Sequence, residues 1–350
     1  MKQVVLCICL MFCFVFVVGQ ESDTQANEES ETQVESILTL KQAFSLAVVS
    51  DADLVSVRTD LEAAERDLNR VRADPLALRL DTLQAEQGWA AAQNKLVSTR
   101  VATQVEIANA YTAALEADEA LQLAQKEQGI ASQTLEAQRV RLSAGAVTQL
   151  DVDKANNDYQ AALRTTADAE ANRNLAYAQL SSLLGSSVTN LETLSDELLA
   201  LPNLEDVNQR AKSQNAQLLA NSRSVELART RLAAIDNAFS ARSDIEAAQD
   251  SLENANIGFA ESQRTLDLNV QNSYNAVLSS QARYESALAN YATALADLNA
   301  QKTRLSAGSI SPLSFAQSEL NFQLTAASLN SAKHAFYLSL LRLEQSIVGQ

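Results

Sequence analysis

Apolar residues recur at helical spacing through most of the chain. From about Trp89 to Leu142, small and apolar side chains follow a heptad spacing, and a second seam of period 3.5 runs from Ala155 to Leu183. Such spacing places one stripe of each helix against a partner helix. At about 1.5 Å per residue, the two arms would be roughly 50 to 80 Å long. The pattern therefore predicts a long antiparallel helical hairpin.

Two shorter helical segments precede this hairpin. The apolar positions predict a helix that starts near Leu38, a break at residues 50–53, and a second helix that ends at Asp74, before Pro75. Residues 76–80 alternate between leucine and other residues, which is a strand signal of only three alternations. We expect helix, break and helix before the long hairpin.

The turn between the two long helices recurs later in the chain. Residues 141–150 read RLSAGAVTQL and residues 304–313 read RLSAGSISPL, so six of the ten positions are identical. Gly145 and Gly308 stand where a helix ends in a left-handed residue, a conformation that glycine adopts without strain. Each decapeptide therefore predicts the tight end of a helical hairpin.

Each decapeptide also carries the start signals of the next helix. Thr148 and Ser311 follow the glycines by three residues and can cap that helix. Asp151 stands at the fourth position of a capping box in the first copy, and Pro312 occupies the first helical position in the second. The two turns are thus similar in sequence and are also predicted to end one helix and start the next in the same way.

Apolar and aromatic positions outside the turns repeat at nearly the same offset. Tyr274 follows Tyr111 by 163 residues, as the second decapeptide follows the first. Because self-similarity at a fixed offset marks a duplicated structural unit, we expect an all-α fold with two internal repeats. The predicted repeats are residues 37–186 and 200–350, with a connector at residues 187–199.

The N-terminal residues have a different composition. Residues 1–19 carry one charge, Lys2, followed by a short apolar run, which is typical of a secretory signal peptide. An uncleaved anchor is the alternative interpretation. Residues 20–36 hold six acidic and no basic residues, so we expect a disordered acidic lead-in.

Charge and composition exclude several classes of function. With 27 basic and 43 acidic residues, the net charge of −16 argues against a nucleic-acid partner. All three cysteines lie within residues 1–19, so the exported chain has no thiol for a disulfide, a metal site or nucleophilic catalysis. The single histidine, His334, is interpreted as a packing or surface residue. We expect no enzyme, no cofactor and no metal.

With the repeat in view, the chain resembles the TolC-like outer-membrane factor family, the export ducts of multidrug efflux pumps and type I secretion systems. The resemblance is carried by LTLKQAFSLA at residues 38–47, by residues 141–150 followed by Asp151, and by residues 180–185. Residues 304–313 and 343–349 are the counterparts in the second repeat.

The resemblance implies a homotrimer whose six hairpins form one hollow α-helical barrel. It also implies a periplasmic adaptor protein at the hairpin turns and an inner-membrane pump that supplies the energy. The expected location is the cell outer membrane or the periplasm. Family members normally insert a pair of membrane strands into each repeat, and residues 76–94 and 234–265 contain no such pair. We therefore expect little or no β-barrel.

The family's adaptor contacts are carried over to the two turns. The predicted contact residues are Arg141, Gly145, Leu150, Arg304, Gly308 and Leu313. Both arginines also end a helix, where a cation complements the helix dipole, and this alone could explain them.

Asp151 and Asp153 form a candidate periplasmic gate, because a trimer would repeat them around the threefold axis. The capping role of Asp151 is the competing explanation.

The resemblance implies a transport function: a passive duct for solutes or unfolded protein. A non-conducting, structural coiled-coil protein of the cell envelope is the alternative. A third interpretation, the adaptor protein itself, requires lipoyl-like β segments around the hairpin, and the sequence contains none that is evident.

Overall fold

Residues 37–195 and 199–349 are described by a computed structural model, and they form eight helices. The first repeat contains α1 (Leu40–Ser50), α2 (Ala52–Ala73), α3 (Arg79–Ser143) and α4 (Gln149–Leu184). The second contains α5 (Leu204–Gln214), α6 (Ala216–Ile235), α7 (Arg242–Ser306) and α8 (Pro312–Val348). The predicted all-α fold of long hairpins in two repeats is confirmed. The predicted signal peptide (1–19), the predicted lead-in (20–36) and the centre of the connector lie outside the described residues.

A capping side chain sits at the break between the two short helices of each repeat. The Asp51 carboxylate accepts a hydrogen bond from the Leu54 amide at 2.9 Å, and the Asn215 side-chain oxygen accepts one from the Leu218 amide at 3.0 Å. An oxygen at this position satisfies a backbone donor that the first helical turn leaves free. The break predicted at residues 50–53 is therefore a helix restart, and the second repeat reproduces it.

The long helix of the first repeat starts earlier than predicted. Helix α3 begins at Arg79, about ten residues before Trp89, and it continues through Gly88. The leucine alternation at 76–80 is a turn followed by the start of α3, and not a strand. Packing of α2 along α3 supports these first helical turns, which an isolated glycine would weaken by only about 1 kcal/mol. Over the part of the chain that the structure describes, no strand forms, and Leu38 and Leu191 make one isolated β-bridge.

The four long helices lie side by side in the order α4, α3, α8, α7. Within each repeat the two long helices form an antiparallel hairpin, and α3 packs against α8 to join the repeats. Two contacts fix this junction as antiparallel: Lys126 Nζ lies 3.3 Å from Glu319 Oε1, and Arg342 Nη2 lies 3.3 Å from Asn109 Oδ1. Helices α4 and α7 do not pack against each other, so they are the two outer edges of this layer.

A tyrosine on the first long helix of each repeat, α3 or α7, holds the start of that repeat. Tyr111 is fully buried, and its hydroxyl lies 2.8 Å from the carbonyl oxygen of Leu38 and 2.6 Å from that of Glu192. At the equivalent position, the Tyr274 hydroxyl donates to the carbonyl oxygen of Pro202 at 3.2 Å. The same contact is thus made in both repeats, more tightly in the first.

None of the described helices has both the length and the apolarity needed to cross a membrane.

Candidate functional site

In each hairpin turn, the first of the two long helices, α3 or α7, ends in a left-handed glycine. Gly145 has a φ of 71° and Gly308 has a φ of 70°. In the first turn, the Gly145 amide donates to the Leu142 carbonyl and the Ala146 amide donates to the Arg141 carbonyl, each at 2.9 Å. Bonds at the same spacing close the second turn. This pair of bonds is the Schellman arrangement. The prediction that both glycines end a helix in the left-handed conformation is therefore confirmed.

Asp151 is built into the cap of the helix that follows the first turn. Its carboxylate accepts hydrogen bonds from the Thr148 amide at 2.8 Å and from the Thr148 hydroxyl at 2.7 Å. These two bonds, the hydroxyl bond first, lower the pKa of Asp151. In the second turn, the Ser311 hydroxyl accepts a hydrogen bond from the Ser314 amide at 3.1 Å. The capping roles predicted for Asp151 and Ser311 are therefore confirmed, whereas the Thr148 hydroxyl donates to Asp151 and forms no hydrogen bond with the helix backbone.

The first turn also presents unpaired apolar and cationic groups to the solvent. Leu150 is 60% exposed, and the Arg141 side chain is exposed as well. Below them, a small cluster of Leu135, Val152 and Ala155 is buried between α3 and α4 and fixes the turn in place. A rigid turn that exposes a large leucine is able to bind a partner, because the cost of ordering a flexible loop has already been met.

The second turn resembles the first but is less apolar. Arg304 is exposed, whereas Leu313 is half-buried. Among the described residues, neither Arg141 nor Arg304 forms an ion pair. All six residues predicted as adaptor contacts thus belong to two turns of the same geometry, and both turns lie beyond the Lys126–Glu319 contact at the same end of the layer.

The candidate gate consists of two carboxylates near the start of α4, Asp151 in its first turn and Asp153 just after it. Asp153 lies two residues after the capping Asp151, is exposed, and accepts a hydrogen bond from the Gln149 side chain at 2.9 Å. The equivalent positions of the second repeat are Ser314 and Ala316, so that hairpin contributes no carboxylate there. One copy of the chain therefore brings two acidic side chains to this end of the long helices.

Sequence reasoning missed a polar cluster around His334. The imidazole is buried between α3 and α8, with Nδ1 3.0 Å from Glu116 Oε1. That hydrogen bond is the main reason why the pKa of Glu116 is lowered. One turn away, burial raises the pKa of Glu119, although the Asn330 side chain donates a hydrogen bond to it. The partners come from different repeats, so the pairing of α3 with α8 was the missing signal.

Comparison with known proteins identifies the architecture. The sequence model of the family described as "Outer membrane efflux protein" matches residues 78–186. No curated protein sequence matches the chain. The structure of CusC superimposes with a TM-score of 0.65 at 13% identity, over 89% of this chain and 92% of that one.

Two further structures have the same fold. A membrane protein from Pseudomonas aeruginosa gives a TM-score of 0.63 at 15% identity, over 88% of this chain and 90% of that chain. The outer membrane channel CmeC from Campylobacter jejuni gives a TM-score of 0.57 at 13% identity, over 88% of this chain and 85% of that chain. At such low identity these likenesses concern the fold. The match over residues 78–186 and the shared two-repeat helical fold together confirm the resemblance of this chain to TolC-like outer-membrane factors.

Proposed function

We propose that this chain is the duct subunit of an efflux or type I secretion system. Copies of the chain assemble into a closed α-helical barrel at the outer membrane or in the periplasm, and the barrel provides a passive path for solutes or protein. The energy comes from an inner-membrane pump, which reaches the duct through a periplasmic adaptor. The family match over residues 78–186 and the likeness to solved outer membrane channels support this function.

The observation that carries the proposal is the pair of open edges formed by α4 and α7. Neighbouring long helices are antiparallel throughout the layer, so the two edge helices also run in opposite directions. The α7 edge of one copy can therefore meet the α4 edge of the next without interrupting the alternation. Such a head-to-tail contact closes into a ring when the rotation between copies allows it. Three copies give a ring of twelve long helices.

Apolar side chains on both edge helices favour this contact. In the single chain, Leu175 on α4 is 57% exposed and Leu268 on α7 is 64% exposed. Ile257 lies three helical turns before Leu268 and is also exposed. Covering such groups contributes roughly 25 cal/mol for each Å² removed from water. An assembly that covers both edges is therefore more stable than the separate copies.

Oligomeric state, measured together with membrane fractionation, tests the duct. The purified chain is expected to be a trimer by native mass spectrometry, and cross-linking of intact cells is expected to trap the same species in the envelope fraction. Deleting the protein is expected to sensitise cells to a toxic solute that the system exports. A monomer in both measurements would contradict the proposal. A trimer whose loss changes cell shape but not export would instead support the structural envelope protein.

Adaptor docking is proposed for the two hairpin turns. Arg141→Glu with Arg304→Glu reverses the charge of the two unpaired cations and leaves the glycine turns intact. We expect this variant to remain trimeric and to lose co-purification with the adaptor. Asp153→Asn is a neighbouring control that removes a charge without touching the arginines, and its adaptor binding should be unchanged. Equal adaptor binding by the charge-reversed variant would refute the assignment of the contact.

A further inference from the structure

We propose that the α7 edge of one copy docks on the α4 edge of the next in a single register, which is fixed by two ion pairs between the copies. The pairs are Arg164 with Glu285 and Asp168 with Arg283. The inference rests on the proposed ring and adds the residues through which copies recognise each other. It is supported by the junction that joins the two repeats within the chain and by four exposed charges that fit the same junction between copies.

The junction between α3 and α8 shows how neighbouring hairpins pack in this protein. One of its polar contacts joins His334 Nδ1 to Glu116 Oε1 at 3.0 Å. Because the second repeat follows the first by 163 residues, α7 is the counterpart of α3 and α4 is the counterpart of α8. A ring of equivalent hairpins packs α7 on the next α4 as α3 packs on α8. Ala171 and Ser279, the counterparts of His334 and Glu116, should therefore meet between copies.

Arg164 and Glu285 come to the same level in this register. Arg164 lies seven residues before Ala171 on α4, and Glu285 lies six residues after Ser279 on α7. In an antiparallel pair of helices, a step back along one helix matches a step forward along the other. The two positions are therefore level to within one residue, or about 1.5 Å.

These two side chains also lie on the helix faces that the internal junction uses. Seven residues make about two helical turns, so Arg164 shares a face of α4 with Ala171. Glu285 lies one turn before the counterpart of Lys126, and the Lys126 ammonium is 3.3 Å from the Glu319 carboxylate across the internal junction. A cation on the α4 edge thus meets an anion on the α7 edge of the neighbouring copy.

Asp168 and Arg283 form the second pair. Asp168 lies three residues before Ala171, and Arg283 lies four residues after Ser279, so these positions are again level to within about one residue. Residues three or four apart share one face of a helix, so both side chains flank the contact between Ala171 and Ser279. Each edge therefore carries one charge of each sign, and each charge meets its opposite on the next copy.

The four charges have no ionic partner within their own chain. Each side chain is exposed, and none of them forms an ion pair among residues 37–195 and 199–349. The Gln281 side chain donates to Glu285 at 3.0 Å along the same helix, but it leaves the charge uncompensated. One exposed ion pair contributes little by itself. A closed ring, however, repeats both pairs at every interface.

The internal junction does not carry the same charges, so the two kinds of junction are not interchangeable. On α3, the counterparts of Arg283 and Glu285 are Ala120 and Gln122. An α4 edge that met α3 of another copy would therefore find no charge at either position. The charges thus favour α7 as the helix that α4 recognises.

Charge reversal in the purified chain tests the first pair. Arg164→Glu and Glu285→Arg each place like charges at every interface, and the double variant restores the pair in reversed orientation. We expect each single change to raise the concentration at which half of the trimer dissociates by about tenfold, and the double variant to return within about threefold of the unchanged chain. Sedimentation of a dilution series measures this concentration. Because both side chains are exposed, circular dichroism should be the same in all four proteins.

Glu170→Arg is the matched control. It reverses an exposed charge two residues after Asp168, on a different side of α4, and should leave the trimer unchanged. If neither single reversal weakened the trimer more than this control, the inference would be overturned while the duct remained supported. A monomeric unchanged chain would contradict the duct, and the inference with it.

Cysteine cross-linking measures the register directly, because residues 20–350 contain no cysteine. A short bis-maleimide should join copies that carry both Arg164→Cys and Glu285→Cys. It should not join copies that carry Arg164→Cys and Ala296→Cys, because Ala296 lies eleven residues beyond Glu285. Cross-linking of the second combination alone would refute the register. Cross-linking by Arg164→Cys without a second cysteine would mean that two α4 edges meet, and this would overturn the docking of α7 on α4.

Discussion

Two glycines decide the geometry of the hairpin turns, and their role can be measured separately from packing. A Cβ added to Gly145 or Gly308 would meet no atom within 4 Å, so only the left-handed backbone opposes a side chain there. We expect Gly145→Ala and Gly308→Ala each to lower the free energy of unfolding by about 1 kcal/mol. Urea unfolding followed by circular dichroism measures the change.

Gly129 provides the control for this prediction. It lies in α3 with an ordinary helical backbone and open space around its Cα. Gly129→Ala should raise the free energy of unfolding by about 0.5 to 1 kcal/mol. Stabilisation by alanine at all three positions would refute the strain assigned to the turns.

The carboxylates near His334 should give opposite pH dependences. The hydrogen bond from His334 lowers the pKa of Glu116 below 4.5, so this group stabilises the fold above that pH, and the effect is lost as the pH falls through the lowered pKa. Glu116→Gln should therefore destabilise the chain at neutral pH, by about 1 kcal/mol, and the difference should shrink in acid. Thermal unfolding across the acidic range measures it.

Glu119 is the neighbouring comparison with the opposite sign. Burial raises its pKa, so its ionised form opposes folding once the pH rises through the raised pKa. Glu119→Gln should leave stability unchanged in acid and increase it at neutral pH. If both glutamine variants followed the same pH profile, the two environments would not differ as described.

At the scale of the elements, the short helices and the long hairpin of each repeat are joined by one buried tyrosine contact. Tyr111→Phe removes a hydroxyl that lies within 2.8 Å of two carbonyl oxygens, and we expect a loss of about 1 to 2 kcal/mol. Tyr274→Phe removes a single bond of 3.2 Å from a half-buried residue, so its effect should be smaller. Amide hydrogen exchange at Leu38 and Glu192 should increase only in the first variant, because it is Tyr111 that holds these two residues.

The helical layer has two different edges, α4 and α7, and this difference predicts how chains with a substitution on one edge assemble. Leu175→Glu places a charge on the α4 edge and Leu268→Lys places one on the α7 edge. In a head-to-tail ring every interface joins one α4 edge to one α7 edge, so either substitution alone places a charge in all of the interfaces. Neither variant should therefore form a trimer. A mixture of the two retains one intact pairing and should yield a heterodimer by native mass spectrometry. Normal trimers of either variant alone would refute this arrangement.

The local elements of this protein could be predicted from its sequence because their signals are local. A stripe of period 3.5, a left-handed glycine and a capping hydroxyl each act within a few residues, and the helices, both turns and the second copy were found from them. The start of α3 was predicted about ten residues late, because contact with α2, and not local preference, stabilises its first turns.

Only the tertiary structure decided how the two repeats meet. The sequence contained Glu116 and His334, but their 218-residue separation carries no signal until α3 pairs with α8. The same pairing leaves α4 and α7 as the open edges of the layer. Long-range packing depends on which faces find each other and not on neighbours in the chain, so these features could not be derived from the sequence by itself.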